Sequence, residues 1–223
     1  MKKLVSTNFS KFYEVNEFVA RSTPMRTHYQ SRNPLERWIW HGKLEVMKKM
    51  LRRIDYKKVL DIGCGDGGLL ETLSPKSNYT GIDISPTQLA YFKSVLPQLR
   101  KQHPGKISLK LGDAKNLPFQ TSTFDLVLAC DVLEHVLEPQ TTLHEIKRVL
   151  KPGGVALFSI PNEPVWQLLR LLTGRWPPRS PDHINYIESG DVMNTFPYVV
   201  AIKFLPFPIK PIHLIQIMLS QKD

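Results

Sequence analysis

The segment VLDIGCGDGG places Gly63, Gly65 and Gly68 directly after an apolar stretch, with Asp61 and Asp66 beside them. Glycines at such positions let backbone N–H groups approach a ligand closely. Their spacing satisfies the pattern G-x-G-x-x-G, which holds a pyrophosphate at the start of a helix in dinucleotide-binding proteins. The glycines therefore indicate a nucleotide-like ligand, but the spacing alone does not say which one.

The charge around the glycines argues against a pyrophosphate. A pyrophosphate bound at a helix N-terminus would place two negative phosphates beside the carboxylate of Asp66. These like charges would repel each other. Asp61, Asp83 and Asp113 follow successive strand-like stretches and add further carboxylates. Such a site suits a nucleoside that lacks phosphates and carries positive charge, a form that S-adenosylmethionine has. We expect Asp61 to receive its ammonium directly or through water, Asp83 to accept its ribose hydroxyls and Asp113 to accept its adenine amine.

The middle of the chain alternates between two hydrophobic periods. KKVLDI, NYTGIDI, KISLKLGD, FDLVLACD and GGVALFSIP have the composition of strands, whereas SPTQLAYFKSVL and PQTTLHEIKRVL have helical spacing. This alternation predicts an α/β fold, a doubly wound and mostly parallel sheet with helices on both faces. In such sheets the ligand binds at the carboxyl ends of the strands. The glycines and aspartates fall at those ends.

Five motifs in order, VLDIGCGDGG, GIDIS, LGDAKNLPF, FDLVLACDVLEHV and LKPGGVALFSIPN, resemble those of class I S-adenosylmethionine-dependent methyltransferases. The resemblance is to the group that acts on small molecules, quinones and lipids, and it covers about residues 55–160. It implies a Rossmann-like sheet of seven strands whose last strand is antiparallel, with YVVAIKFL and HLIQIMLS as the final two. The cofactor contacts that it implies are Asp61, Gly63, Gly65, Asp83, Ile84, Asp113, Ala114 and Cys130.

The stretch ACDVLEHV carries Asp131, Glu134 and His135 after the predicted fourth strand. Some quinone O-methyltransferases of similar pattern bind a divalent cation with carboxylates and a histidine at these spacings. The same letters also occur in relatives without a metal, where Glu134 and His135 would cap a helix and line the pocket. We predict no metal, and we take His135 as a candidate catalytic base.

A second candidate base, His183, lies in the stretch PPRSPDHINYIESGDV. A proline-rich turn followed by a histidine and a short helix resembles the segment that closes over the acceptor pocket in many relatives. The structural alternative is a loop histidine that bonds to the backbone.

The basic charge is concentrated at the start of the chain. Residues 1–58 hold 14 of the 30 Lys and Arg residues but only 5 of the 20 Asp and Glu residues. A helix is predicted within this part by the stretch NPLERWIWHGKLEVMKKMLRRI, in which Asn33 is placed as N-cap. We therefore divide the chain of 223 residues into a basic helical appendage or lid at 1–56 and a cofactor-binding domain at 57–223.

A membrane-spanning segment and a secretion signal are both unexpected, because no apolar run reaches the needed length. Two isolated cysteines fit a reducing compartment, and we predict a cytoplasmic protein. The stretch EPVWQLLRLLTGRWPPR predicts a short helix with Val165, Leu168, Leu169 and Leu172 on one side. With tryptophans and arginines at its border, this helix suits either peripheral contact with a membrane or a lid over the active site.

The predicted function is methyl transfer from S-adenosylmethionine to a small-molecule, quinone or lipid acceptor. One alternative is RNA methylation, which the basic start of the chain permits. A recognised RNA-binding module is missing from the sequence, so nucleic acid is the less favoured partner. The other alternative is a non-catalytic module that binds S-adenosylmethionine. Neither the acceptor atom nor the oligomeric state follows from the sequence.

Overall fold

The structure is a computed structural model and describes residues 12–18, 21, 33–172, 180, 182–206 and 213–223. The described helices are α1 (residues 12–18), α2 (Pro34–Leu51), α3 (Pro86–Leu99), α4 (Pro139–Val149), α5 (Glu163–Leu172) and α6 (Ser189–Thr195). A short 3-10 helix covers Gly68–Thr72. The strands are β1 (Lys58–Ile62), β2 (Asn78–Asp83), β3 (Ile107–Leu111), β4 (Phe124–Cys130), β5 (Leu150–Pro161), β6 (Tyr198–Leu205) and β7 (Ile215–Gln221).

The strands form one seven-stranded sheet in the order β3-β2-β1-β4-β5-β7-β6. Strands β1 to β5 pair in parallel, while β7 pairs antiparallel with both β5 and β6. The predicted doubly wound sheet with an antiparallel last strand is therefore confirmed. Strand β6 matches YVVAIKFL at both ends, and β7 begins two residues after the start of HLIQIMLS.

Both faces of the sheet are covered, which explains why its central strands read as continuous apolar runs. In β4, Leu126 and Leu128 point into one core, and Val127 and Ala129 point into the other. Helices α2 and α3 cover the first face, while α4 and α6 cover the second. The alternation along one strand thus fixes which helices pack on which side.

Helix α2 attaches the N-terminal part of the chain to the sheet. It begins after Asn33, whose side-chain oxygen accepts the N–H of Leu35 at 2.9 Å. Ile39 and Met47 are buried in the same core as strand β1. Helix α2 falls within the appendage defined from the sequence, and the boundary between residues 56 and 57 stays a prediction. No helix in the described ranges has the length and apolar character needed to cross a membrane.

The loop after β1 requires glycine for a steric reason. Gly67 has a φ of 80°, in the left-handed region that favours glycine. A Cβ atom there would also lie 2.4 Å from the ring of Phe92 on α3. The bare backbone therefore allows the loop to pack directly on α3, next to the edge of the sheet where the strands end.

Candidate active site

A cavity opens at the carboxyl ends of β1, β2 and β4. It holds about 1110 Å³ of empty space, including its open mouth. Residues from these strand ends form its floor, and Phe12 and Asn16 of α1 line another part of its wall. A cavity of this kind is large enough for a ligand the size of a nucleoside with a side chain.

Seven of the eight residues predicted to contact the cofactor line this one cavity: Gly63, Gly65, Asp83, Ile84, Asp113, Ala114 and Cys130. The eighth, Asp61, is fully buried and does not line it. Cofactor binding by these residues stays a prediction. The fold brings the seven together because they lie at or just after the ends of neighbouring parallel strands.

Asp83 connects the glycine loop to helix α3. One of its carboxylate oxygens accepts the N–H of Gly65, and the other accepts the N–H of Ser85, both at 2.8 Å. Burial raises the pKa of Asp83, and these two hydrogen bonds oppose the rise. Each carboxylate oxygen has a further lone pair, so Asp83 can still accept hydroxyl groups from a ligand in the cavity.

Asp61 lies behind the cavity. Its Oδ2 accepts a hydrogen bond of 2.6 Å from the hydroxyl of Tyr79, while its Oδ1 has no partner within the described part of the chain. Burial raises the pKa of Asp61 from 3.8 to about 7, against the opposing effect of the Tyr79 hydrogen bond. The expected contact between Asp61 and an ammonium group would require the ligand to reach beneath the lining residues.

The raised pKa of Asp61 predicts a loss of stability as the pH rises from about 4 to 7. In this range the folded protein holds a proton that the unfolded chain has released, so raising the pH favours unfolding. The slope is roughly 1.4 kcal/mol per pH unit at most. Urea unfolding at several pH values measures the free energy of unfolding of the wild type and of Asp61→Asn. Between about pH 4 and 7 the wild type should lose more stability than Asp61→Asn, so the difference between the two should change with pH. A difference independent of pH would contradict the assignment.

Asp131 lines the cavity directly after β4 and has a φ of 53°. Its carboxylate pairs with the ammonium of Lys43 and accepts the hydroxyl hydrogen of Ser159. Lys43 comes from α2, is only 1% exposed, and lies 5.0 Å from the ring centre of Trp40. Although burial raises the pKa of Asp131, the attraction of Lys43 outweighs it and the net shift is downward. The N-terminal part of the chain thus supplies a buried cation to the site.

Both predicted catalytic histidines lie in one cluster beside the cavity. His135 lines the cavity, and its Nδ1 is 3.0 Å from the carbonyl oxygen of Asp182 and 3.3 Å from a carboxylate oxygen of the same residue. The Nδ1 atom of His183 pairs with the carboxylate of Glu163. The two imidazole rings pack edge to face with their centres 4.6 Å apart. His183 therefore bonds to a side chain rather than to the backbone through this nitrogen.

Glu134 completes what we call the histidine cluster, formed by Glu134, His135 and His183. One ligand atom from each of the three residues lies within 4.8 Å of the other two. Burial and the nearby charge of Asp131 raise the pKa of Glu134 to about 8. Asp131, the third member of the metal set considered from the sequence, is engaged by Lys43 and Ser159 instead.

Four residues of this site were given no role from the sequence: Lys43, Phe12, Glu163 and Asp182. Lys43 lies 88 positions from Asp131, and Glu163 lies 20 positions from His183, so their partners could not be read from one motif. Asp182 differs in lying next to His183, so the loop that was predicted to close the pocket contained it.

Part of the sequence is similar to known methyltransferases. Residues 60–158 match the family model described as a methyltransferase domain. The malonyl-[acyl-carrier protein] O-methyltransferase of Haemophilus ducreyi is 35% identical over 120 residues, which cover 53% of this chain and 46% of that protein. The ubiquinone biosynthesis O-methyltransferase of Azoarcus sp. is 36% identical over 107 residues, covering 48% and 45%. The chain therefore spans less than half the length of these two relatives.

Solved structures share the fold over most of the chain. Magnesium protoporphyrin IX methyltransferase from Synechocystis, solved with bound SAH, has a TM-score of 0.70 at 14% identity, covering 95% of this chain and all of that one. The N-methyltransferase NodS from Bradyrhizobium japonicum, in complex with S-adenosyl-L-homocysteine, has a TM-score of 0.64 at 19% identity, covering 95% and 97%. At these identities the likeness shows a common Rossmann-like fold.

Proposed function

We propose that this chain, whose residues 60–158 match a methyltransferase domain, transfers a methyl group from S-adenosylmethionine to a small-molecule, quinone or lipid acceptor. The observation that carries the proposal is the convergence of the glycine loop, Asp83 and Asp113 on one cavity at the strand ends. Carboxylates there match the hydroxyl and amine donors of a nucleoside.

Each lining residue has a role in this proposal. The carboxylate of Asp83 would accept the ribose hydroxyls and the carboxylate of Asp113 the adenine amine, while Gly63 and Gly65 let the methionine part approach the backbone. When bound, the cofactor supplies an activated methyl group. The residues of the chain then have to hold the acceptor in line with that group and keep water away.

The histidine cluster lies on the same cavity and is the proposed place of proton removal. An acceptor hydroxyl must lose its proton as its new bond to carbon forms, and a protonated amine must lose one before it can attack. His135 lines the cavity and His183 packs against it, so both stay our candidate bases. Although burial raises the pKa of Glu163 and Asp182, attraction to the histidines outweighs it, and both net shifts are downward.

The acceptor class rests on the printed names of the relatives. One is named for malonyl-[acyl-carrier protein], one for ubiquinone biosynthesis, and a rice relative, 31% identical over 139 residues, for 2-methyl-6-phytyl-1,4-hydroquinone. These substrates belong to those proteins. Two of the three names refer to quinones or hydroquinones, and a small-molecule, quinone or lipid acceptor is the class that we propose for this chain.

The proposal is tested by incubating the purified chain with cofactor labelled in its methyl group and with cell extract. The extract is then separated into organic-soluble molecules, RNA and protein. We expect label in the organic-soluble fraction, and none with Asp83→Ala. Label in RNA would instead establish the RNA methyltransferase alternative. If no fraction is labelled although S-adenosylmethionine binds, the chain is a non-catalytic binding module.

We also propose that helix α5 contacts the surface of anionic membranes, which would place a cytoplasmic protein at the membrane periphery. Leu168, Leu171 and Leu172 are 56%, 52% and 76% exposed. Val165 and Leu169, expected on the same side as Leu168, pack against the sheet core. The exposed apolar face is therefore rotated from the one predicted, because the sheet takes up the other side of the helix. The tryptophan and arginines expected beyond residue 172 lie outside the described residues.

Vesicle co-sedimentation tests this contact. Wild-type protein should sediment with vesicles containing an anionic phospholipid, less so at high salt, and the Leu171→Ser, Leu172→Ser double variant should stay in the supernatant. Leu35→Ser is the matched control, since Leu35 is an exposed leucine of α2. Wild-type protein that remains in the supernatant at low salt would refute membrane contact without affecting the proposed activity.

A further inference from the structure

Glu134 carries a buried carboxyl group to which the described part of the chain offers no hydrogen bond. The residue is only 1% exposed, and neither carboxylate oxygen has a hydrogen-bond partner within the described ranges of the chain. Burying an unpartnered carboxylate costs several kcal/mol or more, and native proteins contain only a few such groups. Its two oxygens are therefore available to a cation or to a hydrogen-bond donor that enters the site.

Glu134 lies beside two histidines whose Nδ1 atoms are already engaged. The Nδ1 atom of His135 faces Asp182, and the Nδ1 atom of His183 pairs with the carboxylate of Glu163. An Nδ1–H that donates to an oxygen fixes the tautomer in which the lone pair is on Nε2. Histidines that bind metals have this arrangement, with an oxygen acceptor behind the ring.

We infer that Glu134, His135 and His183 bind a divalent transition-metal ion. One ligand atom from each lies within 4.8 Å of the other two. Ligands at about 2.0–2.2 Å from a common ion are roughly 3–4 Å apart, so the longest of these distances has to shorten by about 1–2 Å when an ion binds. Two imidazole nitrogens and one carboxylate oxygen suit zinc, iron(II) or cobalt(II), whereas magnesium and calcium take oxygen ligands.

This site differs from the set considered in the sequence. There we predicted no metal, and the alternative set was Asp131, Glu134 and His135. The structure uses Asp131 to pair with Lys43, and it brings in His183 from a segment 48 positions beyond His135. The third ligand, His183, and the oxygen acceptors of the two rings, from Asp182 and Glu163, lie outside the stretch ACDVLEHV. That stretch alone could therefore not predict this site.

The use of the ion rests on the proposed function. Three protein ligands leave coordination positions open, and His135 lines the cavity, so the ion can take an oxygen ligand from there. An acceptor hydroxyl bound to the ion would release its proton to water more readily. In the loaded protein the two histidines would then serve as ligands, and the acceptor class narrows to molecules with a hydroxyl or phenol oxygen.

Metal binding can be measured without turnover. The full chain, freed of metal by chelation, is titrated with Zn²⁺ by calorimetry and with Co²⁺ by visible absorption. We expect one ion per chain, and a dissociation constant at least 100-fold larger in His183→Asn and in Glu134→Gln. His144→Asn is the matched control, because His144 is exposed on α4 and its Nδ1 bonds only to the preceding turn of its own helix.

Three outcomes would overturn the inference: no ion bound at one equivalent, wild-type affinity in His183→Asn, or an equal loss in His144→Asn. Should His183→Asn fail to fold, Glu163→Gln provides a second variant, with an expected 10- to 100-fold weaker affinity. Binding of S-adenosylmethionine is measured on the same samples. A chain that binds and uses the cofactor but no metal would refute this inference alone, whereas a chain that binds metal but transfers no methyl group would refute the proposed function.

Discussion

Replacing Asp83 by alanine is expected to weaken the binding of S-adenosylmethionine by about 10²- to 10⁴-fold. The change removes two proposed charge-assisted hydrogen bonds to the ribose, each worth roughly 1.5–3 kcal/mol. It also releases the N–H of Gly65, which the carboxylate holds at 2.8 Å. Both effects act on the same ligand, because the glycine loop forms the adjoining wall of the cavity. Isothermal titration calorimetry measures the loss.

Two further variants separate charge from shape. Asp83→Asn keeps the volume and one acceptor oxygen, so we expect an intermediate loss of affinity. Asp55→Ala removes an aspartate that lines a different cavity, near the end of α2, and should bind as the wild type does. Thermal unfolding without ligand checks that each variant folds. An unchanged affinity in Asp83→Ala, or tighter binding of a nicotinamide dinucleotide by the wild type, would contradict the cofactor assignment.

The second large effect is expected from Lys43→Met, which should lower the free energy of unfolding by about 3–5 kcal/mol. Methionine fills a similar volume but leaves the Asp131 carboxylate largely buried beside Ser159 without its cation. Breaking one half of a buried ion pair is costly for this reason. The double variant Lys43→Met, Asp131→Asn should recover part of the loss, since asparagine tolerates the left-handed backbone at this position.

Lys147→Met is the control for this prediction. The ion pair of Lys147 with Asp223 joins side chains that are 29% and 54% exposed, and its loss should cost less than about 1 kcal/mol. Urea unfolding of the four proteins gives the comparison. Equal destabilisation by Lys43→Met and Lys147→Met would show that the buried pair has no special weight, and that α2 is held by its apolar contacts alone.

The sheet and its ligand edge could be predicted because their signals are local. Each strand carries its own apolar pattern, and the rule that parallel strands bind ligands at their carboxyl ends brings Gly63, Asp83 and Asp113 together without further information. Asp61 differs from these residues, because the alternation along β1 turns its side chain toward Tyr79, behind the lining of the cavity. Its contact with the cofactor stays a prediction.

The rest of the site depends on contacts between distant segments. Lys43 reaches Asp131 across 88 positions, and Glu163 reaches His183 from the start of α5. Helical spacing puts Lys43 on the same side of α2 as Ile39 and Val46, but a lysine ordinarily lies in solvent, so its buried partner was not expected. The exposed face of α5 was misjudged for a related reason. Helical spacing shows which leucines share a side, but only the position of the helix on the sheet decides which side water reaches.

The position of β7 has a consequence for the order in which the fold assembles. This strand follows β6 along the chain but lies between β5 and β6 in the sheet. Strand β6 therefore has no place to dock until β7 has paired, and the pairing of β5 with β7 joins residues as far apart as Val155 and Gln221. Closing so long a loop is entropically costly unless a local hairpin forms first. In one kinetic route β6 and β7 first form a hairpin, which then adds to β5 as a unit. This single step would cover the edge of β5 against pairing with other chains.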